Sequence, residues 1–460
     1  MNEMSKNVVV DPKTKSLDEF LQRGPYLGYT YSYPHKTAYR SLPTRLLREV
    51  WQQEPVNALF LYVHVPFCEF RCGFCNLFTI SQPDQDLPTQ YLKSFDRQAQ
   101  QVSEGLPSDF RFAQLAIGGG TPSYLNVGEL EQLFGVLSSK MRVDGTGVPI
   151  AMEVSPATVD REKLRLMKDF GVDRVSMGVQ SFNGRDVGAI GRPQKREQVM
   201  KAIESIRRES FEILNLDLIY GAEGQTSESW LQSVNETIEL RPEEIFLYPL
   251  YVRQLTGLSK RKSCSSDDSR LELYRMGRDR LLEAGYEQVS MRMFRLPSRN
   301  NVKSTSFVSS DYRCQSDGMI GLGCGARSYT SNLHYGSRFA VRQSVVSRIV
   351  SDYVSQTDKE FSEVSFGFEM DSGQRRRRHL ILSLFLTEGL RLDDYRDQFS
   401  SCVMDDFPQL SQLVDRNLAT IDSSRFVLNE EGIAMSDSLG PWLYSNDVDH
   451  LMEEYQWDQA

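Results

Sequence analysis

Leu59-Phe60-Leu61-Tyr62-Val63-His64-Val65-Pro66-Phe67-Cys68-Glu69-Phe70-Arg71-Cys72-Gly73-Phe74-Cys75 carries three of the chain's seven cysteines in its last eight residues. The apolar run Leu59–Val65 has the length and composition of a strand, and Pro66 cannot continue a sheet ladder. The cysteines are therefore expected in a loop at the carboxyl end of that strand. The remaining four (Cys264, Cys314, Cys324 and Cys402) are scattered without disulfide spacing, so the three clustered thiols read as metal-site chemistry. Structural zinc takes four ligands, and a zinc knuckle would need His64 as the fourth. His64 lies in the strand and is expected to point away from the loop. A cubane iron–sulfur cluster on three cysteines instead leaves one iron open.

The bulk properties bound the rest. At 460 residues the chain suits two domains, or one large domain with an appendage, and its apolar fraction of 40% is ordinary for a folded protein. A net charge of −9 and a pI near 5.3 argue against a nucleic-acid binder. No apolar stretch is long enough to span a bilayer, and the polar start Met1-Asn2-Glu3-Met4-Ser5-Lys6 lacks the apolar core of a signal peptide. The expected location is the reducing cytoplasm.

From about residue 56 to 300, strand-like and helix-like stretches alternate. Phe60–Val65 is followed by Thr89–Ser103, Phe112–Ile117 by Val127–Ser138, and Ile150–Val154 by Arg161–Phe170. Arg174–Val179 then precedes Arg196–Arg208, Ile213–Ile219 precedes Ser227–Leu240, and Ile245–Tyr251 precedes Asp268–Ala284. Six such repeats mean parallel strands joined by right-handed crossovers, with functional residues gathered at the strands' carboxyl ends. At those ends stand Gly118-Gly119-Gly120-Thr121-Pro122, where missing Cβ atoms let backbone approach a ligand, and Glu153, a carboxylate inside an apolar run that needs a partner. A buried structural ion pair is the other reading of Glu153. Gln180, Arg192 and Asp217 follow in the next two units.

Cys-x-x-x-Cys-x-x-Cys after a strand, with aromatic Phe74 before the third cysteine, resembles the signature of radical S-adenosylmethionine (SAM) enzymes. The flanking Tyr62-Val63-His64-Val65-Pro66-Phe67-Cys68 is similar to relatives of oxygen-independent coproporphyrinogen III oxidase. The resemblance implies an α/β fold, an open (β/α)6 partial barrel. It also implies a 4Fe–4S cluster on Cys68, Cys72 and Cys75, with SAM chelated at the open iron and cleaved to a 5′-deoxyadenosyl radical that abstracts hydrogen from substrate. It further implies SAM contacts from Tyr62, Phe74, Gly119, Gly120, Thr121, Glu153, Gln180, Arg192 and Asp217, the last reaching the ribose hydroxyls. One or two SAM molecules, a small-molecule substrate and a reductant such as flavodoxin or ferredoxin are the implied partners. The expected division is an N-terminal arm over 1–55, a core over 56–335 and a small helical, winged-helix-like C-terminal domain over 336–460 that caps the barrel mouth. The Tyr- and Pro-rich Arg23–His35 stretch resembles the family's arm near the active site; read bare, it is an aromatic strap on another domain. Gly285–Gln288 and the glycine-rich Gly318–Ala326 resemble the last core segments. Cys314 and Cys324 read as small apolar fillers rather than radical relays. Arg375–Arg378 is expected to open the helix His379–Phe385 as a solvated or acid-paired start, and Gly440-Pro441-Trp442 to anchor the tail.

Departures from the family surround the substrate rather than the cluster. Coproporphyrinogen oxidases carry a fourth cysteine two positions after the third, where this chain has Leu77. The loop Gly221-Ala222-Glu223-Gly224-Gln225-Thr226 replaces a usual Leu-Pro, and Pro249 and Arg327 stand where the oxidase has a small and an apolar residue. The catalytic residues toward substrate are not identified by the sequence. The readings are a radical enzyme acting on a heme precursor or other small molecule, a two-SAM methyltransferase, a SAM-binding heme chaperone, and a bare structural cluster protein. His35, His64, His334, His379 and His450 are the candidate axial heme ligands.

Overall fold

The computed structural model describes residues 15–143, 145, 147–260, 267–297 and 313–457; Cys264 lies outside them. The chain packs into two compact units, one of Tyr39–Gln288 and Arg292–Met370, the other uniting the chain up to Ala38 with Val289–Met291 and Asp371–Tyr455. These boundaries differ from 1–55, 56–335 and 336–460, and strand pairing is the reason. Arg40–Leu46 runs antiparallel to Glu363–Glu369, so both stretches join the large sheet of the first unit.

Six strands and six helices of that unit alternate as the repeats predict. They are β1 Leu59–Val65, α1 Leu87–Gly105, β2 Phe112–Gly119, α2 Val127–Met141, β3 Ile150–Val154, α3 Arg161–Phe170, β4 Arg174–Gln180, α4 Arg196–Arg208, β5 Ile213–Tyr220, α5 Ser227–Glu239, β6 Glu244–Pro249 and α6 Asp267–Glu283. β1 to β6 lie side by side, all parallel. A seventh strand, β7 Met319–Leu322, pairs in parallel on the far side of β1. Beyond it the sheet turns antiparallel through β8 Arg327–Tyr329, β9 Leu333–Gly336 and β10 Glu363–Glu369. The parallel α/β alternation expected from the repeats is found, and the sheet is open, as the resemblance implies, rather than the closed eight-fold barrel that repetition alone would also allow. A short extra helix, Gly184–Ala189, precedes α4; its six residues are too few to give a helical period in the sequence.

Strand alternation sets which side chains face the site. Leu61, Val63, Leu115, Ile117, Met152, Val175, Met177, Leu214 and Leu216 are buried, each contributing about 1.5–3 kcal/mol by leaving water. The alternate positions make a polar face, with His64 beside Gly118, Glu153 beside Ser176, Gly178 beside Asp217 and Asn215 beside Glu244. A one-residue slip would exchange the two sets, so the apolar pattern fixes the register that brings the polar ones together. Caps fix where the helices begin. Asn126 accepts from the Glu129 N–H at 3.0 Å and Glu129 accepts from the Asn126 N–H at 2.9 Å, a reciprocal box that starts α2 just after the glycine loop.

In the second unit, helices Ser372–Leu384 and Leu392–Phe399 accompany a three-stranded antiparallel sheet of Leu390–Arg391, Arg425–Leu428 and Ala419–Ile421. This is the expected small helical, winged-helix-like arrangement. The arginine run lies within the first of these helices rather than before it, because Asp371 caps the Gln374 N–H at 2.7 Å and starts the helix early. Arg376 pairs with Asp406 at 2.8 Å and Arg377 donates to the Leu443 carbonyl, so the run is used in packing. The arm belongs to this unit. Gly28 donates to the Asp437 carbonyl, Tyr33 is fully buried and bonds Ser445, and Trp442 donates to the Lys15 carbonyl.

Candidate cofactor and metal site

The cysteine loop leaves β1 at Pro66 and is closed at its base. Phe67–Cys68 pairs in parallel with Ile80–Ser81, and the Gln82 N–H reaches the Cys68 carbonyl at 3.0 Å. Its middle is clamped at Gly73. The Gly73 N–H donates to the Gly191 carbonyl at 3.1 Å, and the Gly73 carbonyl accepts from the Leu258 N–H at 2.8 Å. A Cβ on Gly73 would stand 2.8 Å from the Ile190 carbonyl oxygen, so only glycine fits. Phe74 packs on an apolar bed of Ile190, Ile219, Ala222, Leu250 and Leu258, drawn from the ends of β5 and β6 and the segments around them.

Two of the sulfurs receive hydrogen bonds. The Thr121 hydroxyl donates to Cys68 Sγ at 3.5 Å and Arg192 Nη1 donates to Cys72 Sγ at 3.2 Å. Burial still dominates, pushing the Cys68 thiol up to about 12 and raising Cys72 as well. A bound metal centre would supply the counter-charge that such buried thiols need in order to ionise. Among the described residues no three His, Cys, Asp or Glu side chains converge as one metal ion requires. A polynuclear cluster takes one thiolate per iron and has no such requirement, so the donor set fits the 4Fe–4S group that the resemblance implies. His64 is committed elsewhere. Its Nε2 lies 2.9 Å from the Phe78 carbonyl, which can only accept, so Nε2 carries the proton and Nδ1 accepts from the Tyr62 hydroxyl at 3.2 Å. Neither nitrogen is left for a metal.

The three glycines after β2 each make room for a particular neighbour. A Cβ on Gly118 would lie 2.9 Å from the Glu153 carboxylate, one on Gly119 2.7 Å from the His64 ring, and one on Gly120 3.0 Å from Cys68 Sγ. Gly119 also adopts φ +114°, which presents its N–H to Glu153 Oε2 at 3.2 Å. Glu153 is thus tied to the glycine loop rather than to an arginine, so the buried ion-pair reading of it is not the one found. Asp217 is oriented by Asn215, whose amide donates to its Oδ1 at 2.7 Å. Burial and the charge of Asp217 raise Glu153 to about 7, and burial raises Asp217 to about 6 despite Asn215 and the charges of Arg174 and Arg192. Gln180 sits at a bulge at the end of β4 with φ +67°, a left-handed conformation held by its surroundings. Arg192 is pinned by the Gly178 carbonyl and Gln194, both at 2.8 Å.

The raised carboxyl of Glu153 predicts a pH effect on folding. Its folded value near 7 exceeds its ordinary 4.5, so the stabilisation is complete below about pH 4.5 and is lost as pH rises through 7. Without SAM, the chain is expected to melt at a lower temperature at pH 8 than at pH 6, and Glu153→Gln to remove part of that difference. Thermal melts across pH check this. A variant with the unaltered profile would show that Glu153 ionises freely.

Two residues of the site are not among those expected. Arg174 pairs with Glu244 at 2.6 Å and bonds Ser176 at 2.6 Å, and Asn215 links Ser176 to Asp217. Both are polar residues at alternate positions of apolar strands, the signal that marked Glu153. The replaced loop after β5 is locked by Gln225, whose side chain accepts from the Gly221 N–H at 2.7 Å and donates to buried Asp186 at 3.0 Å. Pro249 ends β6 opposite Tyr220, and Arg327 is buried with its guanidinium over the Tyr329 ring. Leu77 is 51% exposed, two residues past the last cysteine of the loop. Cys324 is buried with its sulfur 3.8 Å from the Ile349 carbonyl, Cys314 is half-buried beside Gln315, and Cys402 is exposed. The Gly323 turn packs on the His64 backbone and the Tyr91 hydroxyl. Of the other histidines, His334 and His379 are buried, while His450 is exposed beside Glu454.

Comparison with known proteins finds similar domains and a similar fold. The radical SAM superfamily model matches residues 62–236 and the HemN C-terminal domain model matches 371–435. The chain is 27% identical over 393 residues to oxygen-independent coproporphyrinogen III oxidase of Pseudomonas aeruginosa, covering 82% of this chain and 83% of that one. It is 24% identical over 397 residues to heme chaperone HemW of Lactococcus lactis, covering 84% and 97%. In three dimensions it superposes on coproporphyrinogen III oxidase (HemN) of Escherichia coli with a TM-score of 0.78, at 22% identity, covering 94% of this chain and 99% of that one. Among the described residues no helix is long and apolar enough to cross a membrane. The thiol loop and the glycine loop fall within the radical SAM match and residues 371–435 within the HemN C-terminal match, so the chain carries both domains and has the fold of HemN.

Proposed function

We propose that Cys68, Cys72 and Cys75 hold a 4Fe–4S cluster, that SAM binds at its open iron, and that the chain acts on a porphyrin-like or other small-molecule substrate by radical chemistry. The observation that carries this is the clamping of the cysteine loop to neighbouring strand ends that present Gly119, Gly120, Glu153, Gln180, Arg192 and Asp217. When bound, the cluster and SAM supply a one-electron route to a carbon radical. The protein's own groups bind and orient. Gly119 and Gly120 leave backbone open to the methionine end, flanked by Thr121. Glu153 offers a carboxylate to the amino group, and Asp217, held by Asn215, offers acceptors to a vicinal diol. Phe74 and its apolar bed suit a flat adenine, and Tyr62 closes the polar face beside His64. We place the chain in the cytoplasm with a flavodoxin- or ferredoxin-like reductant, and with one SAM at this site or two.

Asp217→Ala is expected to weaken SAM binding by roughly 1–3 kcal/mol, the effect of leaving buried hydroxyls unpaired. Calorimetry on anaerobic, cluster-loaded protein measures it, and an unchanged affinity would mean that this carboxylate does not meet SAM. A SAM-binding heme chaperone is the second reading, supported by Leu77 at the place of the fourth cysteine and by the similarity to HemW. Deoxyadenosine formed from SAM and a strong reductant favours the enzyme. S-adenosylhomocysteine favours a methyltransferase, and neither product together with saturable heme binding favours the chaperone.

A further inference from the structure

The hydrogen bonds at the cysteine loop carry information beyond ligand identity. Arg192 is not a free side chain near Cys72. Nε is bonded to Gln194, Nη2 to the Gly178 carbonyl, and Nη1 to Cys72 Sγ at 3.2 Å, with the guanidinium 5.6 Å over the Phe70 ring. Gln194 is itself fixed, donating to the Val179 carbonyl at 2.6 Å. Thr121 is held by its N–H on the Phe67 carbonyl at 2.8 Å, which aims the hydroxyl at Cys68 Sγ. Between these two cysteines lies Glu69. One of its oxygens accepts from the Ser155 hydroxyl at 2.5 Å, and the other is buried with no hydrogen-bond partner among the described residues. A cation and a hydroxyl therefore point at two thiolates, and a carboxylate is fixed beside the same pair.

We infer that Arg192 and Thr121 set the reduction potential of the cluster through their hydrogen bonds to Cys72 and Cys68, and that Glu69 opposes them. This rests on the cluster assignment proposed above and goes beyond it, since it gives Arg192 a task toward sulfur that is separate from any contact with SAM. Reduction adds one electron, delivered by an external reductant, to a centre bounded by thiolates. Donors to the sulfurs and a nearby positive charge stabilise the added negative charge and raise the potential, whereas a fixed carboxylate lowers it. Arg192 brings both a donor and a full charge and is the strongest of the three. Thr121 brings a neutral donor at longer range.

The test is potentiometry of the anaerobically reconstituted full chain without SAM. Dithionite serves as reductant, the reduced cluster is followed by electron paramagnetic resonance, and iron per chain is measured first. Arg192→Gln is expected to move the midpoint to more negative potential and Thr121→Val to move it the same way by less. Glu69→Gln is expected to move it to less negative potential, all at wild-type iron content. Midpoints that coincide with wild type, or an Arg192→Gln shift in the positive direction, overturn the inference. If Arg192→Gln fails to hold iron, Arg192→Lys and Glu69→Gln decide. Arg192→Lys keeps the charge but loses the planar fork, so a negative shift from wild type, with a positive shift in Glu69→Gln, supports the inference. No shift in either overturns it. A wild-type chain that takes up no iron at all overturns the cluster assignment itself, a result distinct from loaded variants with unmoved midpoints.

Discussion

Replacing Cys68, Cys72 or Cys75 singly with alanine is expected to abolish bound iron and sulfide and the brown colour of anaerobically purified protein. The expected loss is complete rather than partial, because a cubane on three thiolates has no spare protein ligand. His64, the nearest nitrogen donor in sequence, is occupied at both ring atoms by Tyr62 and Phe78. Folding should survive, since the loop is held through Gly73 backbone bonds and the Phe67–Ile80 pairing rather than through the sulfurs. Iron and sulfide analysis beside far-ultraviolet circular dichroism separates the two effects. A triple variant that retains full cluster absorbance would transfer the ligand role to other cysteines and end the reading of this loop.

The second large effect concerns substrate. With coproporphyrinogen III, SAM and reductant under strict anaerobiosis, the chain is expected to form no protoporphyrinogen above background. Leu77 stands where the oxidases that the sequence resembles carry a cysteine, and a leucine can donate neither a proton nor a hydrogen atom. Its 51% exposure leaves apolar surface beside the cluster loop instead. The other thiols near the core offer poor substitutes. Cys324 is buried against the Ile349 carbonyl, and Cys314 is half-buried beside Gln315. Product formation at about 1 per second, the low end of ordinary enzyme turnover, would overturn this. Cys314→Ser and Cys324→Ser would then show which thiol had replaced the missing one.

The parallel core was legible because most of its strands are short apolar runs and most of its helices have an amphipathic period. Arg161–Phe170 and Arg196–Arg208 emerge with the same ends in sequence and structure. The cysteine and glycine loops were legible because their residue types are rare and tied to local chemistry. What escaped depends on partners far apart in the chain. Arg174 gains meaning only opposite Glu244, and Asn215 only between Ser176 and Asp217. The unit boundaries escaped for the same reason. Nothing local in Arg40–Leu46 announces its pairing with Glu363–Glu369, more than three hundred residues later. The helix that Arg375–Arg378 was expected to open starts three residues earlier, at Ser372, because its cap is Asp371.

The clamp at Gly73 bears on maturation. Hydrogen bonds to the Gly191 carbonyl and from the Leu258 N–H shape the middle of the cysteine loop, and both are made by the polypeptide backbone. The nascent chain can therefore complete its sheet and present a preformed cradle before any metal is delivered. If the proposed cluster is inserted after folding, metallation is a late and separable event, and the expected order of biogenesis is fold first, cluster second. A folded, unloaded chain is then the expected recipient for iron–sulfur delivery, with its loop already shaped by the backbone bonds at Gly73.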